Sequence, residues 1–202
     1  MRIVPSVCLA LATGLATGVA GCQHPTDRPD HCSGDVAALG DRTGTLHVRA
    51  ELSPLSQGGQ GQRHEAVVQI RPEAISLVGL TPMGTQAFEL TRNADGLTLE
   101  NRVGRFLGMT PRLLYDAVAR GYLASGAPGA GGERLLETWH AGRRERRRFL
   151  PLSERDRGEA SVSYERPAGA AGPVRAVVRN EWCDYEARIV VVSDDRPDAA
   201  TP

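Results

Sequence analysis

The sequence predicts a mainly β protein: one open antiparallel half-barrel of about ten strands, with a short helix covering its concave face. Three observations lead there. Apolar and polar residues alternate in short segments from position 45 to position 192. Turn-forming Gly, Pro, Asn and Asp separate those segments. One stretch, residues 111–120, drops the two-residue period for a helical one.

The first strand is read at Thr45–Ala50, where Leu46, Val48 and Ala50 share a face, and the pattern resumes over Glu65–Ile70. Ile75–Leu80 and Gln86–Leu90 flank a Pro82-Met83-Gly84 turn. Asn93-Ala94-Asp95-Gly96 is a second turn signal, followed by Leu97–Glu100. In the helical stretch, Thr110 suits the N-cap and Pro111 the first position. Leu113, Leu114, Ala117 and Val118 form its apolar stripe, with Arg112, Asp116 and Arg120 off it and Gly121 as its end. So short a helix is not stable alone and must dock on the sheet. Leu135–His140 and Arg146–Phe149 flank Ala141-Gly142, and Ala160–Glu165, Val174–Asn180 and Tyr185–Val192 complete the set. The Gly/Gln-rich 57–62, Gly-rich 125–132 and Pro/Gly/Ala-rich 167–173 read as loops, and 193–202 as a disordered tail.

Composition narrows the function. The 202 residues carry 24 basic and 24 acidic side chains, and every basic residue is arginine. Apolar residues at 41% and charged residues at 24% suit a folded domain, so a disordered chain and a nucleic-acid binder built on bulk positive charge are both excluded. Only 4% of residues are aromatic, which makes a wide sheet hard to fill and favours a lipid-sized hollow or a flatter sandwich.

The N-terminus reads as an address. Arg2 supplies a positive start, Ile3 to Ala20 is uncharged and mostly apolar or small, and Val19-Ala20-Gly21-Cys22 looks like a bacterial lipobox. That assigns 1–21 as a lipoprotein signal peptide, Cys22 as the lipidation site, 22–39 as tether and 40–192 as the β domain. Acyl chains would hold the protein in the membrane. Position 23 is Gln rather than Asp, and the resemblance then implies the outer membrane, facing the periplasm. Cys8 leaves with the signal. Cys32 and Cys183 remain in an oxidising compartment, either as a disulfide across 151 residues or as two separate buried thiols.

Residues Ile75 to Leu90, with Thr81-Pro82-Met83-Gly84-Thr85 at their centre, resemble the strand–Pro-Leu-Gly–strand hairpin of LolB, the outer-membrane receptor for lipoproteins. Phe106-Leu107-Gly108-Met109-Thr110-Pro111 is similar to that family's entry into its central helix. More closely, the chain resembles an uncharacterised family of LolA/LolB-related lipoproteins often encoded beside aryl-polyene pigment genes. The resemblance implies a half-barrel whose apolar interior holds acyl chains, with cargo passed on by a periplasmic carrier protein. It also implies a membrane-inserting turn at Leu80, Pro82 and Met83, where Met83 matches the inserted apolar residue. The plainer alternative for Met83 is an ordinary exposed turn residue.

The other candidates are weaker. Arg143, Arg144, Arg146, Arg147 and Arg148 crowd six positions and suit either anionic-lipid contact or the solvated face of an edge hairpin. Trp139 and Trp182 read as packing anchors. His24, His31, His47, His64 and His140 lack metal-ligand spacing. No nucleophile elbow, nucleotide loop or cofactor motif is visible, so neither an enzyme nor a cofactor is expected. The expected function is binding or transfer of an acylated cargo, a lipoprotein or a lipid-like aryl-polyene precursor. The alternative is a non-enzymatic assembly lipoprotein without a cavity.

Overall fold

The computed structural model describes residues 43–56, 61–103, 111–124, 133–140, 143–152, 158–165 and 175–196. Cys22, Cys32, the signal peptide, the 22–39 tether, Thr110 with the 106–110 approach to the helix, and the loops expected at 125–132 and 167–173 fall on residues outside that set; of the loop expected at 57–62, residues 57–60 lie outside it and Gln62 already belongs to a strand.

The strands are β1 Gly44–Pro54, β2 Gln62–Ile70, β3 Ile75–Leu80, β4 Gln86–Asn93, β5 Gly96–Asn101, β6 Glu133–His140, β7 Arg143–Pro151, β8 Ala160–Glu165, β9 Arg175–Asn180 and β10 Tyr185–Asp194. The ten expected strands are thus present, several of them longer than the alternation alone marked. They form one antiparallel sheet in the order β5-β4-β3-β2-β1-β10-β9-β8-β7-β6. The first and last strands pair in register from Pro54 opposite Tyr185 to Leu46 opposite Asp194, with a bulge at His47/Val48. The sheet is a meander whose ends are sewn together at β1–β10 and whose open edges, β5 and β6, are neighbours in the chain.

The helix lies between those two edges in sequence. α1, Pro111–Val118, continues without a break into a π-helix, Ala119–Leu123. Gly121 therefore does not end the helix; it lies inside the π-helical turn. A helix of this length spans about 20 Å. It reaches β4 through α1, and it hydrogen-bonds to side chains of β6, β7, β8 and β10. In a flat sheet β4 and β6, eight spacings apart, would be separated by about 38 Å. One short helix touches both only because the sheet curls around it.

The inner face is the core. Leu46, Val48, Leu77, Leu90, Val162, Val178 and Ile189 have no exposed surface. Each has strand neighbours on the opposite, more polar face, as the period-two alternation requires. Leu113, Leu114, Ala117 and Val118 meet this face from the helix. The aromatic shortage is met at one point by a cross-strand pair: Phe88 of β4 lies opposite Gly79 of β3, and its ring occupies the place of the missing side chain.

Candidate functional site

The β3–β4 turn is a rigid projection. Gly84 N–H donates to the Thr81 carbonyl at 2.9 Å, and Thr81 N–H donates to the Thr85 carbonyl at 2.8 Å. Gly84 sits at φ 78°, where a side chain would be strained, while Pro82 and Met83 keep negative φ. The two threonine hydroxyls bond to each other at 2.7 Å across its base. This frame holds Met83 out of the fold at 91% exposure, among the most exposed large apolar side chains of the described residues. Leu80, the third member of the expected insertion turn, is half-buried at the end of β3.

Sequence reasoning missed the second feature, a polar cluster that bolts the helix to the sheet. Asp116 and Arg120, expected on the polar side of the helix, have 0% and 1% exposure. The curled sheet leaves the helix no solvent face there, so its polar side meets polar strand residues. Arg120 grips Glu133 at both guanidinium ends, at 2.7 and 2.9 Å, and turns its Nε to Asp116 at 3.1 Å. Asp116 also accepts from Asn180 at 2.9 Å and from the Tyr185 hydroxyl. The Arg120 guanidinium lies 4.7 Å from the Phe149 ring centre and 5.6 Å from that of Trp182. Burial opposes the charge on Arg120, but the two carboxylates outweigh it and hold the guanidinium protonated, with its pKa raised. Burial, and then the Asp116 charge, pushes the Tyr185 hydroxyl well above its ordinary range.

The π-helix presents carbonyls that the helix itself does not satisfy, and the sheet supplies donors to them. Arg147 of β7 donates to the Arg120 and Ala124 carbonyls, both at 2.9 Å. Tyr164 of β8 donates to Gly121 O at 2.6 Å, and Arg196, beyond β10, to Tyr122 O at 3.1 Å. Arg196 is itself buried and paired with Asp194 at 2.6 Å, so ordered chain extends past the expected strand end at Val192.

The arginine run divides accordingly. Arg147, expected either at an anionic lipid or on the solvated face of the hairpin, is on neither: it is 3% exposed and turned inward with Phe149, because alternate residues of a strand face one side. Arg144 pairs with Glu137 at 3.1 Å, Arg146 with Glu159 at 3.6 Å, and Arg148 also with Glu159. Arg143 is exposed at the start of β7. Trp182 packs against the core as expected. Trp139 does not: on the open edge strand β6 it is 53% exposed, with the Arg144 guanidinium 4.8 Å from its ring centre. Cys183 is buried in the β9–β10 turn, where its N–H and that of Trp182 donate to the Asn180 side chain, each at 3.1 Å. Among the described residues no group of three or more His, Cys, Asp or Glu is placed to hold a metal ion.

A search of curated proteins finds no match. Among solved structures, the chain is similar to the LolA superfamily protein NE2245 from Nitrosomonas europaea, at 10% identity and a TM-score of 0.45, over 81% of this chain and 90% of that one. A family model matches residues 51–193, most of the described sheet and its helix. The chain belongs to that family, which is described as "Protein of unknown function (DUF3261)".

Proposed function

We propose that the chain is a lipoprotein anchored through Cys22 in the outer membrane, facing the periplasm, and that it binds an acylated cargo against the inner face of its sheet. The cargo would be a lipoprotein or a lipid-like aryl-polyene precursor, handed on by a periplasmic carrier protein. The observation that carries this reading is the construction of the core. An open sheet offers an inner face that is apolar over β1 to β4 and polar around Glu133, Arg147 and Asn180, and one helical segment covers it, fixed by its own apolar stripe and by polar contacts from Arg147, Tyr164, Arg196 and Glu133. Removing that cover would expose an apolar surface suited to an acyl chain, and no covalent chemistry is needed. Met83 would lead the turn of Leu80 and Pro82 into the membrane; its exposure supports that role. The Cys32–Cys183 disulfide belongs to the same reading, supported by Cys183 being buried and half of a cystine.

The test is native mass spectrometry of the full chain purified from envelopes in mild detergent, with lipid extraction of the same sample. The expected result is a bound acyl-bearing molecule in addition to the anchor. One observation favours the assembly-lipoprotein alternative: the inner-face side chains are already fully covered. Protein that carries no such molecule, and takes none up from acyl-chain micelles, would leave that alternative standing and end the carrier reading.

A further inference from the structure

Arginines far apart in sequence gather on the opposite face of the sheet. A cleft of about 540 Å³ opens there, floored by the β1 and β2 backbone at Ala50 and His64 and walled by long side chains. Four of these are Arg49 of β1, Arg63 of β2, Arg175 of β9 and Arg188 of β10. The strand order makes the gathering: β2, β1, β10 and β9 are consecutive in the sheet. Register then aligns Arg63 with Glu51 and Glu51 with Arg188, while Arg49 lies opposite Val190 and Val190 opposite Arg175. Against the four arginines the lining has two carboxylates, Glu51 and Glu65, and Glu165 and Glu186 beside it pair with Arg175 and Arg188, so the four guanidinium groups are matched in charge and an external anion binds by displacing these partners. Burial keeps the pKa of His64 below its ordinary value, so that ring adds no charge near neutral pH.

Each of these arginines has a carboxylate partner, but only at the surface. Arg49–Glu65 is 3.5 Å, Arg63–Glu51 3.6 Å and Arg175–Glu165 3.8 Å, Arg188 reaches Glu186 at 3.2 Å through its Nε and a terminal nitrogen, and all four arginine side chains are more than half exposed. Such loose surface pairs hold little energy and exchange readily for a better anion. The contrast is with Arg147 and Arg120, which are buried and fully used. A guanidinium favours phosphate oxygens because its planar fork matches them.

The position of the cleft decides the anion. Thr81 and Pro82 belong to its lining, and Met83, the next residue, is the exposed tip of the same turn. One side of the molecule therefore presents an apolar projection beside four exposed arginines, the pairing that suits a membrane interface with acidic head groups. We propose that the cleft lined by Arg49, Arg63, Arg175 and Arg188 is a phosphate-binding site for anionic lipid head groups, and that with Met83 it sets the face that the protein turns to the membrane. The anionic-lipid contact thus lies on these scattered arginines and not on the 143–148 run. The proposal shares the membrane location of the proposed function but requires no cargo.

The test is arginine footprinting of the full chain with phenylglyoxal, read residue by residue by mass spectrometry. It is run with vesicles of phosphatidylcholine alone, with vesicles of equal phosphatidylcholine and phosphatidylglycerol, and with inorganic phosphate alone. Anionic vesicles should slow modification of Arg49, Arg63, Arg175 and Arg188 about fivefold each, with Arg143 and Arg146 unchanged and neutral vesicles without effect. The Arg49→Gln/Arg188→Gln variant, with an unchanged circular dichroism spectrum, should lose the protection at Arg63 and Arg175. Protection by inorganic phosphate but not by anionic vesicles would make this a soluble-phosphate site and overturn the lipid assignment. Equal labelling in all samples, or protection of the 143–148 run instead, would overturn the site itself. Neither result depends on whether acyl cargo is found.

Discussion

Replacing Arg147 by methionine separates a helix bolt from a surface cation. Methionine keeps most of the aliphatic stem, so packing beside Phe149 changes little. Three hydrogen bonds of 2.9 Å are lost: one from Nε to Glu137 and one each to the Arg120 and Ala124 carbonyls. Glu137 keeps Arg144 at 3.1 Å, so the main loss is the two carbonyls. Each buried acceptor left without a partner costs about 1–3 kcal/mol. Burial already disfavours the charge on Arg147 and lowers its pKa, so removing that charge offsets part of the loss. The net cost is about 2–4 kcal/mol, a sizeable share of the roughly 5–15 kcal/mol that holds a domain together. It falls on the π-helix first. Hydrogen exchange at the Ala124 amide, which bonds to the Ala119 carbonyl at 2.8 Å, reads it directly. Exchange there should speed up about 30- to 1,000-fold, while the β1–β10 amides change far less. Unchanged exchange at Ala124, together with weaker binding to anionic vesicles, would refute the bolt and return Arg147 to the surface role that its sequence neighbours suggest.

Other outcomes follow from the same structure. An alanine Cβ at position 79 would meet the Phe88 ring at 2.1–2.7 Å, so Gly79→Ala should lower stability in urea titration by about 1–3 kcal/mol. At position 121 the nearest atoms are Ala176 and Val178 at 3.7 and 3.8 Å and φ is not positive, so Gly121→Ala should be neutral or stabilising by up to about 1 kcal/mol; a clear loss would mean that the glycine is needed for movement. Burial raises the Tyr122, Tyr164 and Tyr185 pKa values above 10.0 in the folded chain. The stability these hydroxyls contribute is therefore complete below the unfolded value of about 10 and declines as pH rises beyond it. Urea midpoints measured across that range should fall steeply, and less so in Tyr185→Phe. Met83→Glu should fold and melt as the parent does, since nothing packs on Met83, but should bind vesicles less well; wild-type vesicle binding would remove Met83 from the membrane contact.

The sheet was legible because alternation is a local signal: Leu46, Val48 and Ala50 declare a face within five residues. The bolt was not, because Asp116, Glu133, Arg147, Tyr164, Asn180 and Arg196 come from six places in the chain and each alone resembles a surface residue. A signal did exist. Arg147 has the strand parity of buried Phe149, Asn180 that of Ala176 and Val178, and Glu133 that of Leu135, so each polar residue stands where the pattern calls for an apolar one. Parity alone overcounts, since Glu145 shares it and is exposed near the β6–β7 turn. Depth along the strand removes the excess, and depth depends on strand order. A chain whose open edges are consecutive, β5 and β6, must carry its linking helix across the inner face. The helix then needs partners for its carbonyls at the far end of that crossing, on β7 and β8. The inward-parity polar residues Arg147, in the middle of β7, and Tyr164, two positions along β8 from Val162, the residue opposite Arg147, are where such partners lie. The same reasoning applied to the outer face, where no described helix crosses, explains why Arg49, Arg63, Arg175 and Arg188 stay at the surface, each beside a carboxylate rather than a helix carbonyl.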